Sequence, residues 1–391
     1  MMLHNLGRGP KQGFCRFAAG RQLDAFPGDS IVACMSGVLV LVLLVFWPAV
    51  VRGEVDQRAA SPLPAGMAES IPEEARSLYL PHRRGSEFFN PWQEMDSKAW
   101  SFLRWKLFDW NSFDKSRTPD LPLVDNDGAY LTRSGESPSI TWVGHATFAV
   151  QDEGDVFLTD PHFSKRALFP ARWNPPGIPL DSIPPDAFAI ISHNHYDHLD
   201  TETVESLPSA IKWFVPLGLG EWFRDLGREA VELDWWESTR HGNWTITCLP
   251  SQHWSSRIDQ LPNRSLWCAY LLDNGKRKYF FAGDTGYFHG FREYRRRFGP
   301  IDVAMLPIGA WAPRFMMRYQ HMDPAEALLS FQDLGAQRFY PMHYGTFDLT
   351  DEPLDQPPVA LMELVEEQGL DPQKFRILPA GGRDFLADKG S

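Results

Sequence analysis

Four groups able to hold a metal ion fall within six residues of one another in the run Ile190-Ile191-Ser192-His193-Asn194-His195-Tyr196-Asp197-His198-Leu199-Asp200. The run leaves an apolar stretch, Ala187 to Ser192, that has the composition of a buried strand. A loop at the end of such a strand can turn two imidazoles toward one cation and offer the following Asp-His pair to another. Imidazole and carboxylate are present without thiolate, which favours zinc, with iron or manganese as alternatives. The run is interrupted and internal, so it is not an expression tag.

Two coordination spheres need more ligands than this loop supplies. His253 follows the strand-like Trp244 to Pro250, Asp284 follows Tyr279-Phe280-Phe281-Ala282-Gly283, and His343 follows Phe339-Tyr340-Pro341-Met342. Each stands where a short apolar strand would empty onto an edge. Together with His193, His195, Asp197 and His198 they form the expected ligand set. Two such cations make hydroxide available near neutral pH and stabilise charge on an attacked phosphoryl or carbonyl oxygen, so no covalent nucleophile is needed. The sequence contains no G-x-S-x-G elbow, Walker loop or dinucleotide-binding glycine fingerprint, which leaves serine-hydrolase, NTPase and dinucleotide-enzyme readings without a motif.

The elements that must position these groups are mostly strands. Ile140 to Val150, Val156 to Asp160, Lys212 to Val215, Trp244 to Leu249, Leu266 to Leu272, Lys278 to Ala282, Val303 to Pro307 and Arg338 to Pro341 read as strands bounded by turns. Helices are expected at Ala325 to Leu334, with Asp323 as N-cap and Pro324 in the first turn, and at Val359 to Gln368, closing on Gly369. This order suits an α/β domain with a sheet-on-sheet core and helices outside. Between Asn90 and Trp110, aromatic residues at helical spacing predict an amphipathic helix.

Several segments carry a resemblance. Thr141-Trp142-Val143-Gly144-His145-Ala146-Thr147-Phe148, Leu158-Thr159-Asp160-Pro161, the His193-x-His195-x-Asp197-His198 motif, Phe281-Ala282-Gly283-Asp284-Thr285-Gly286, Leu306-Pro307-Ile308-Gly309-Ala310 and Met342-His343-Tyr344-Gly345-Thr346-Phe347 resemble the metallo-β-lactamase superfamily. Within it they are similar to the N-acylphosphatidylethanolamine-hydrolysing phospholipase D family. The similarity spans roughly Asn90 to Pro379. It implies an αββα four-layer sandwich with two zinc ions: one on His193, His195 and His253, the other on Asp197, His198 and His343, with Asp284 bridging. It further implies a phosphodiesterase that releases phosphatidate and N-acylethanolamine.

By the same resemblance, Gln320 and His321 border the site as substrate-binding residues, and His321 joins Asp284 as a catalytic candidate through a hydrogen bond to phosphate or help to the leaving group. His145 is expected to be a hydrogen-bonding structural residue. His162, His241 and His289 are expected at the surface or behind the ligands. A lactonase or other small-molecule hydrolase is the alternative within the superfamily, and a metal-retaining module without turnover is the alternative outside enzymes. The loop Trp311 to Met317 and the aromatic segment Trp100 to Trp110 could furnish an apolar entrance for lipid.

Composition is that of a folded soluble domain, with 43% apolar and 13% aromatic residues. A formal charge of −12 argues against a nucleic-acid footprint, and the arginines of Arg292 to Arg297 read as a solvated helix face. Residues 1–52 read as a leader whose uncharged run, Ile31 to Val51, is long enough to span a bilayer or act as an export signal, with Arg8, Lys11, Arg16 and Arg21 before it. Residues 53–86 read as a Pro-rich linker and 87–391 as the hydrolase domain. The expected setting is a membrane-anchored or exported protein with its catalytic domain on the non-cytoplasmic side. Its expected partners are a phospholipid substrate and a membrane surface, with a homodimer allowed. Cys248 and Cys268, in neighbouring strands without C-x-x-C spacing, are expected to be buried thiols.

Overall fold

The computed structural model describes residues 71–95, 113–133 and 137–387, together with Val55, Trp105 and Gly135. The leader and most of the aromatic helix expected between Asn90 and Trp110 lie outside the described residues. Among the described residues, no helix is long and apolar enough to cross a membrane.

A short hairpin of β1 (Arg83–Arg84) and β2 (Glu87–Phe88) precedes two larger sheets. The first contains β3 (Ser139–Gly144), β4 (Thr147–Asp152), β5 (Asp155–Thr159), β6 (Phe188–Ile190), β7 (Lys212–Pro216) and β8 (Ala230–Leu233). The second contains β9 (Ser238–His241), β10 (Trp244–Leu249), β11 (Ala269–Asp273), β12 (Lys278–Phe281), β13 (Val303–Pro307) and β14 (Arg338–Met342). The last strand, β15 (Arg383–Phe385), returns to pair with β3, giving seven strands in the order β15-β3-β4-β5-β6-β7-β8 against six in the order β14-β13-β12-β11-β10-β9.

Side chains alternate across the first sheet as strand geometry requires. Phe148 and Val150 of β4, Phe157 of β5, Phe188 and Ile190 of β6 and Phe214 of β7 join the core shared with Ile246, Tyr270, Leu272 and Phe281 of the second sheet. Their neighbours Ala149, Leu158, Ala189, Trp213 and Val215 face the opposite way and pack on Val204 of α1 (Thr201–Ser206) and Phe223 of α2 (Gly220–Asp225). The outer face of the second sheet is covered by α3 (Gly290–Phe298), with Phe291 and Tyr294 buried, and by α5 (Pro324–Leu334), with Leu328 and Phe331 buried; the short α4 (Arg314–Met317) lies between them in sequence. Each fully buried large apolar side chain contributes roughly 1.5–3 kcal/mol.

The start of α5 follows its capping chemistry. The Asp323 side chain accepts the backbone N–H of Glu326 at 2.9 Å, and Pro324 needs no donor in the first turn. The C-terminal helix α6 (Gln356–Glu367) begins three residues before the expected Val359, because Pro357 and Pro358 fit a first turn, where their missing N–H groups cost nothing. The end of the expected linker folds as well: Glu73–Tyr79 forms a 3₁₀ helix whose Ala75, Leu78 and Tyr79 enter the main core together with Ile71. Apolar positions 71, 75, 78 and 79 carry a helical period that the flanking Pro72 and Pro81 obscure in the sequence.

Strand direction explains where function can sit. β5, β6, β7 and β8 run parallel, and β3 runs with them because each neighbouring pair from β3 to β5 is antiparallel. In the second sheet β12, β13 and β14 are parallel, and β10 shares their direction through two antiparallel pairings. His145, Asp160, His193, His253, Asp284 and His343 all follow the carboxyl ends of these strands, the edge where α/β sheets gather their ligands.

Candidate metal centre

At that edge the sequence-predicted ligands converge in two groups. His193 Nε2 lies 2.8 Å and His253 Nε2 3.2 Å from His195 Nδ1. Asp284 Oδ2 lies 3.9 Å from His193 Nε2 and 3.8 Å from His253 Nε2. In the second group, Asp197 Oδ2 is 3.5 Å from His198 Nε2 and 3.3 Å from His343 Nε2. The same Asp284 Oδ2 approaches His198 Nε2 to 3.2 Å and His343 Nε2 to 3.0 Å, so one carboxylate oxygen adjoins both groups.

Small residues let the loops meet. Gly283 has φ +56°, and a Cβ there would stand 2.5 Å from that of Ser192. Any larger residue would push Asp284 away from the histidine loop. His145, Asp160 and His343 also adopt left-handed φ of 52°, 34° and 64°, a backbone cost borne by residues of the site.

Hydrogen bonds orient the rings. His198 Nδ1 donates to Asp160 Oδ2 at 2.6 Å, which leaves its Nε2 lone pair facing the centre. Ser192 Oγ donates to the same oxygen at 2.5 Å and accepts from His193 Nδ1 at 2.9 Å, so Asp160 governs two imidazoles. His253 Nδ1 donates to the backbone carbonyl of Gln320 at 3.0 Å. In the first group this turns the Nε2 lone pairs of His193 and His253 toward His195.

That arrangement fits a cation. His193 Nε2 and His253 Nε2 both present lone pairs to His195 Nδ1, which carries at most one proton. Among the described residues, Asp284 Oδ1, His198 Nε2, His343 Nε2 and His321 Nδ1 are buried with no hydrogen-bond partner, a costly condition that bound metal would relieve. Burial drives His193 and His253 well below the ordinary imidazole value and His195 down to about 4, so all three are neutral and able to ligate at pH 7. Burial opposes charge on His343 too, but Asp284 and Asp197 outweigh it and raise the ring to about 9. His198 is likewise raised, against its burial, by Asp284 and Asp197, while the neighbouring imidazoles hold both carboxyls low despite their burial. Without metal, protons on His198 and His343 take the place of positive charge.

All seven expected ligands are therefore brought together. His145 joins the second group: its Nε2 lies 3.0 Å from Asp197 Oδ2, the hydrogen-bonding place expected of it, and within metal-binding reach of His198 and His343. His321 Nδ1 stands 3.8 Å from Asp284 Oδ2. Gln320 meets the site through its backbone carbonyl, while its amide nitrogen points to Met317 Sδ at 3.6 Å. His162 is buried with Nδ1 3.7 Å from Asp200, His241 packs on Phe188 and Phe214, and His289 Nε2 lies 3.3 Å from Ser77 Oγ; none of them enters the metal-competent groups. Asp160 was missed as a site residue, although its place after a short apolar strand is the signal that marked the others. Cys248 and Cys268 are buried free thiols.

A family model described as a β-lactamase superfamily domain matches residues 156–344. A solved metallo hydrolase from the hyperthermophilic archaeon Ignicoccus hospitalis shares the fold with a TM-score of 0.50 at 21% identity, covering 65% of this chain and 100% of that one. The chain is also 39% identical over 246 residues to N-acyl-phosphatidylethanolamine-hydrolyzing phospholipase D 1 of Caenorhabditis elegans, across 58% of this chain and 69% of the relative. It belongs to the metallo-β-lactamase superfamily and is a metal-dependent hydrolase. A mitochondrial N-acyl-phosphatidylethanolamine-hydrolyzing phospholipase D of Saccharomyces cerevisiae is 35% identical over 243 residues, 59% of this chain and 52% of its own length.

Proposed function

We propose that the chain is a zinc-dependent phosphodiesterase that hydrolyses N-acylphosphatidylethanolamine-type phospholipids to phosphatidate and N-acylethanolamine. The observation that carries the hydrolytic part is Asp284 Oδ2 standing between two groups of imidazoles. The substrate is supported by the similarity to relatives bearing that activity in their names. His193, His195 and His253 would hold one zinc, Asp197, His198 and His343 the other, and Asp284 both. A bound pair of divalent cations supplies hydroxide near neutral pH and neutralises charge on the phosphoryl oxygens.

The protein's own groups do the rest. Asp160 and the Gln320 carbonyl hold His198 and His253, respectively, with Nε2 turned to the centre. Burial, ahead of nearby charges, depresses His321 to about 3, so its ring is neutral at pH 7 and suited to hydrogen-bonding a phosphoryl oxygen. Beside it, Met316 and Met317 pack with Ala310 and against Trp105, while Phe315 is 47% exposed, an adaptable apolar margin that suits an acyl chain. The leader would anchor or export the chain, with the catalytic domain on the non-cytoplasmic side and a membrane surface as partner.

The test is product release from N-acylphosphatidylethanolamine vesicles and from a lactone panel, with zinc content measured alongside and His195→Ala as control. Zinc-dependent release of N-acylethanolamine is expected, and a chain lacking residues 1–52 should keep it while leaving the membrane fraction. Turnover of lactones alone would replace the substrate assignment, and metal uptake with no turnover would favour a binding module.

A further inference from the structure

Residues 88–94 lie outside the span matched by the family model, yet hydrogen bonds run from them to the loops that carry the site. Asn90 Nδ2 donates to the backbone carbonyl of His253 at 3.1 Å and to Tyr319 Oη at 2.7 Å. Tyr319 Oη donates in turn to the Gln93 carbonyl at 2.9 Å, and Trp92 Nε1 donates to Gln252 Oε1 at 3.1 Å. Gln252 Nε2 then reaches the Tyr319 carbonyl at 2.9 Å. Trp92 is wedged in place by stacking on Phe288, 5.1 Å between ring centroids, and by Trp235 at 5.4 Å.

We propose that Asn90 is a positioning residue for the metal centre, holding the His253 ligand and the Tyr319-Gln320-His321 loop in register with each other. Its amide is the only common side-chain chemistry that suits the place. Asn90 Oδ1 accepts the indole N–H of Trp267 at 3.0 Å, and an indole can only donate. Its Nδ2 faces the His253 carbonyl, which can only accept. A carboxylate would confront that carbonyl with a second acceptor, and an aliphatic side chain would abandon all three partners. Asn90 is 1% exposed, so water cannot make up the loss.

The geometry acts on the ligand from two directions. One hydrogen bond from Asn90 holds the His253 backbone. The other holds Tyr319, whose successor Gln320 supplies the carbonyl that receives the His253 ring proton. Displacing the Tyr319 loop would therefore turn the imidazole and remove the constraint that keeps Nε2 as its lone-pair atom. The inference rests on reading His253 as a ligand.

The experiment compares full-length wild type with Asn90→Asp, Asn90→Ala, Tyr319→Phe and Ile71→Ala, each loaded with cobalt(II). Chelator competition, the cobalt d–d absorption spectrum and the melting temperature are recorded. In both Asn90 variants one of two metal equivalents is expected to weaken roughly 10- to 100-fold, with an altered spectrum, while the other is retained. Tyr319→Phe, which leaves packing nearly intact, should show a smaller weakening of the same equivalent. Ile71→Ala opens a cavity in the core that Phe88 also enters, without touching His253, so it should lower the melting temperature and keep both equivalents and the spectrum. Wild-type metal affinity and spectrum in the Asn90 variants, or equal metal loss in Ile71→Ala, would overturn the inference alone. A wild-type chain that takes up no cobalt would overturn it together with the ligand reading.

Discussion

Asp384 and Asp284 are both buried carboxylates, and their surroundings are opposite in kind. Asp384, on β15, receives Arg376 Nε at 2.8 Å and Nη2 at 2.5 Å and the hydroxyl of Tyr340 on β14 at 2.6 Å, so donors from the protein itself answer both of its oxygens. Around Asp284 Oδ2 stand five imidazoles within 3.9 Å, and its Oδ1 has no partner among the described residues. A carboxylate saturated by donors completes itself and ties two strands together. One ringed by imidazoles is held by borrowed protons until a cation enters from outside, and that contrast separates a structural site from a functional one in the same fold.

The largest way to break the contrast is to neutralise each acid. Asp284→Asn is expected to lose bound metal and to lower turnover roughly 10³-fold, with the circular dichroism of the fold retained. Asp384→Asn should keep metal and turnover and lose about 2 kcal/mol of stability in urea unfolding, since hydrogen bonds to a charged group are weakened. Metal content unchanged by Asp284→Asn would remove the bridging role.

Stripping metal sharpens the comparison next. Chelation is expected to cost about 4 kcal/mol relative to protein held at roughly 1,000 times its metal dissociation constant, and the loss should vanish on adding zinc back. An unchanged urea midpoint would mean that the imidazoles need no cation.

Acidity gives the smallest and most graded effect. Burial depresses His145 and His321 to about 3 and His195 to about 4 in the folded metal-free chain, against an ordinary 6.5. Between those values the unfolded chain binds more protons, so the stability these rings contribute is present above pH 6.5 and is lost as pH falls toward 3–4. His343, raised to about 9 by Asp284 and Asp197 over its own burial, has the opposite sign: its contribution is full below 6.5 and is lost as pH climbs through 9. The metal-free chain is therefore expected to melt highest near pH 6.5, with melting temperatures falling on both sides. A flat profile across this range would contradict the burial of neutral rings.

The ligand set was legible in the sequence because its chemistry is local. Only a few residue types bind metal, each follows a short apolar strand, and the His193 to His198 cluster is contiguous. Helix starts at Asp323 were legible for the same reason, since a cap and its first turn are neighbours along the chain. The helical turn at Glu73–Tyr79 was obscured because its prolines carry a stronger local signal than its four apolar contacts, which matter only once the core exists. Asp160 carried the same strand-end signal as the ligands, but its hold on His198 and on Ser192 is visible only after β5 and β6 lie side by side.

Asn90 had no local mark at all. Its amide acquires meaning when residues 163 and 229 positions further along the chain are brought within hydrogen-bond reach. The amino-acid sequence by itself thus determined which groups can bind metal and which strands would deliver them, because residue type and alternation are written residue by residue. The tertiary structure decided that one oxygen of Asp284 adjoins two clusters and which carbonyls and carboxylates fix each imidazole. Those relations depend on distances across two packed sheets, which no short stretch of chain encodes.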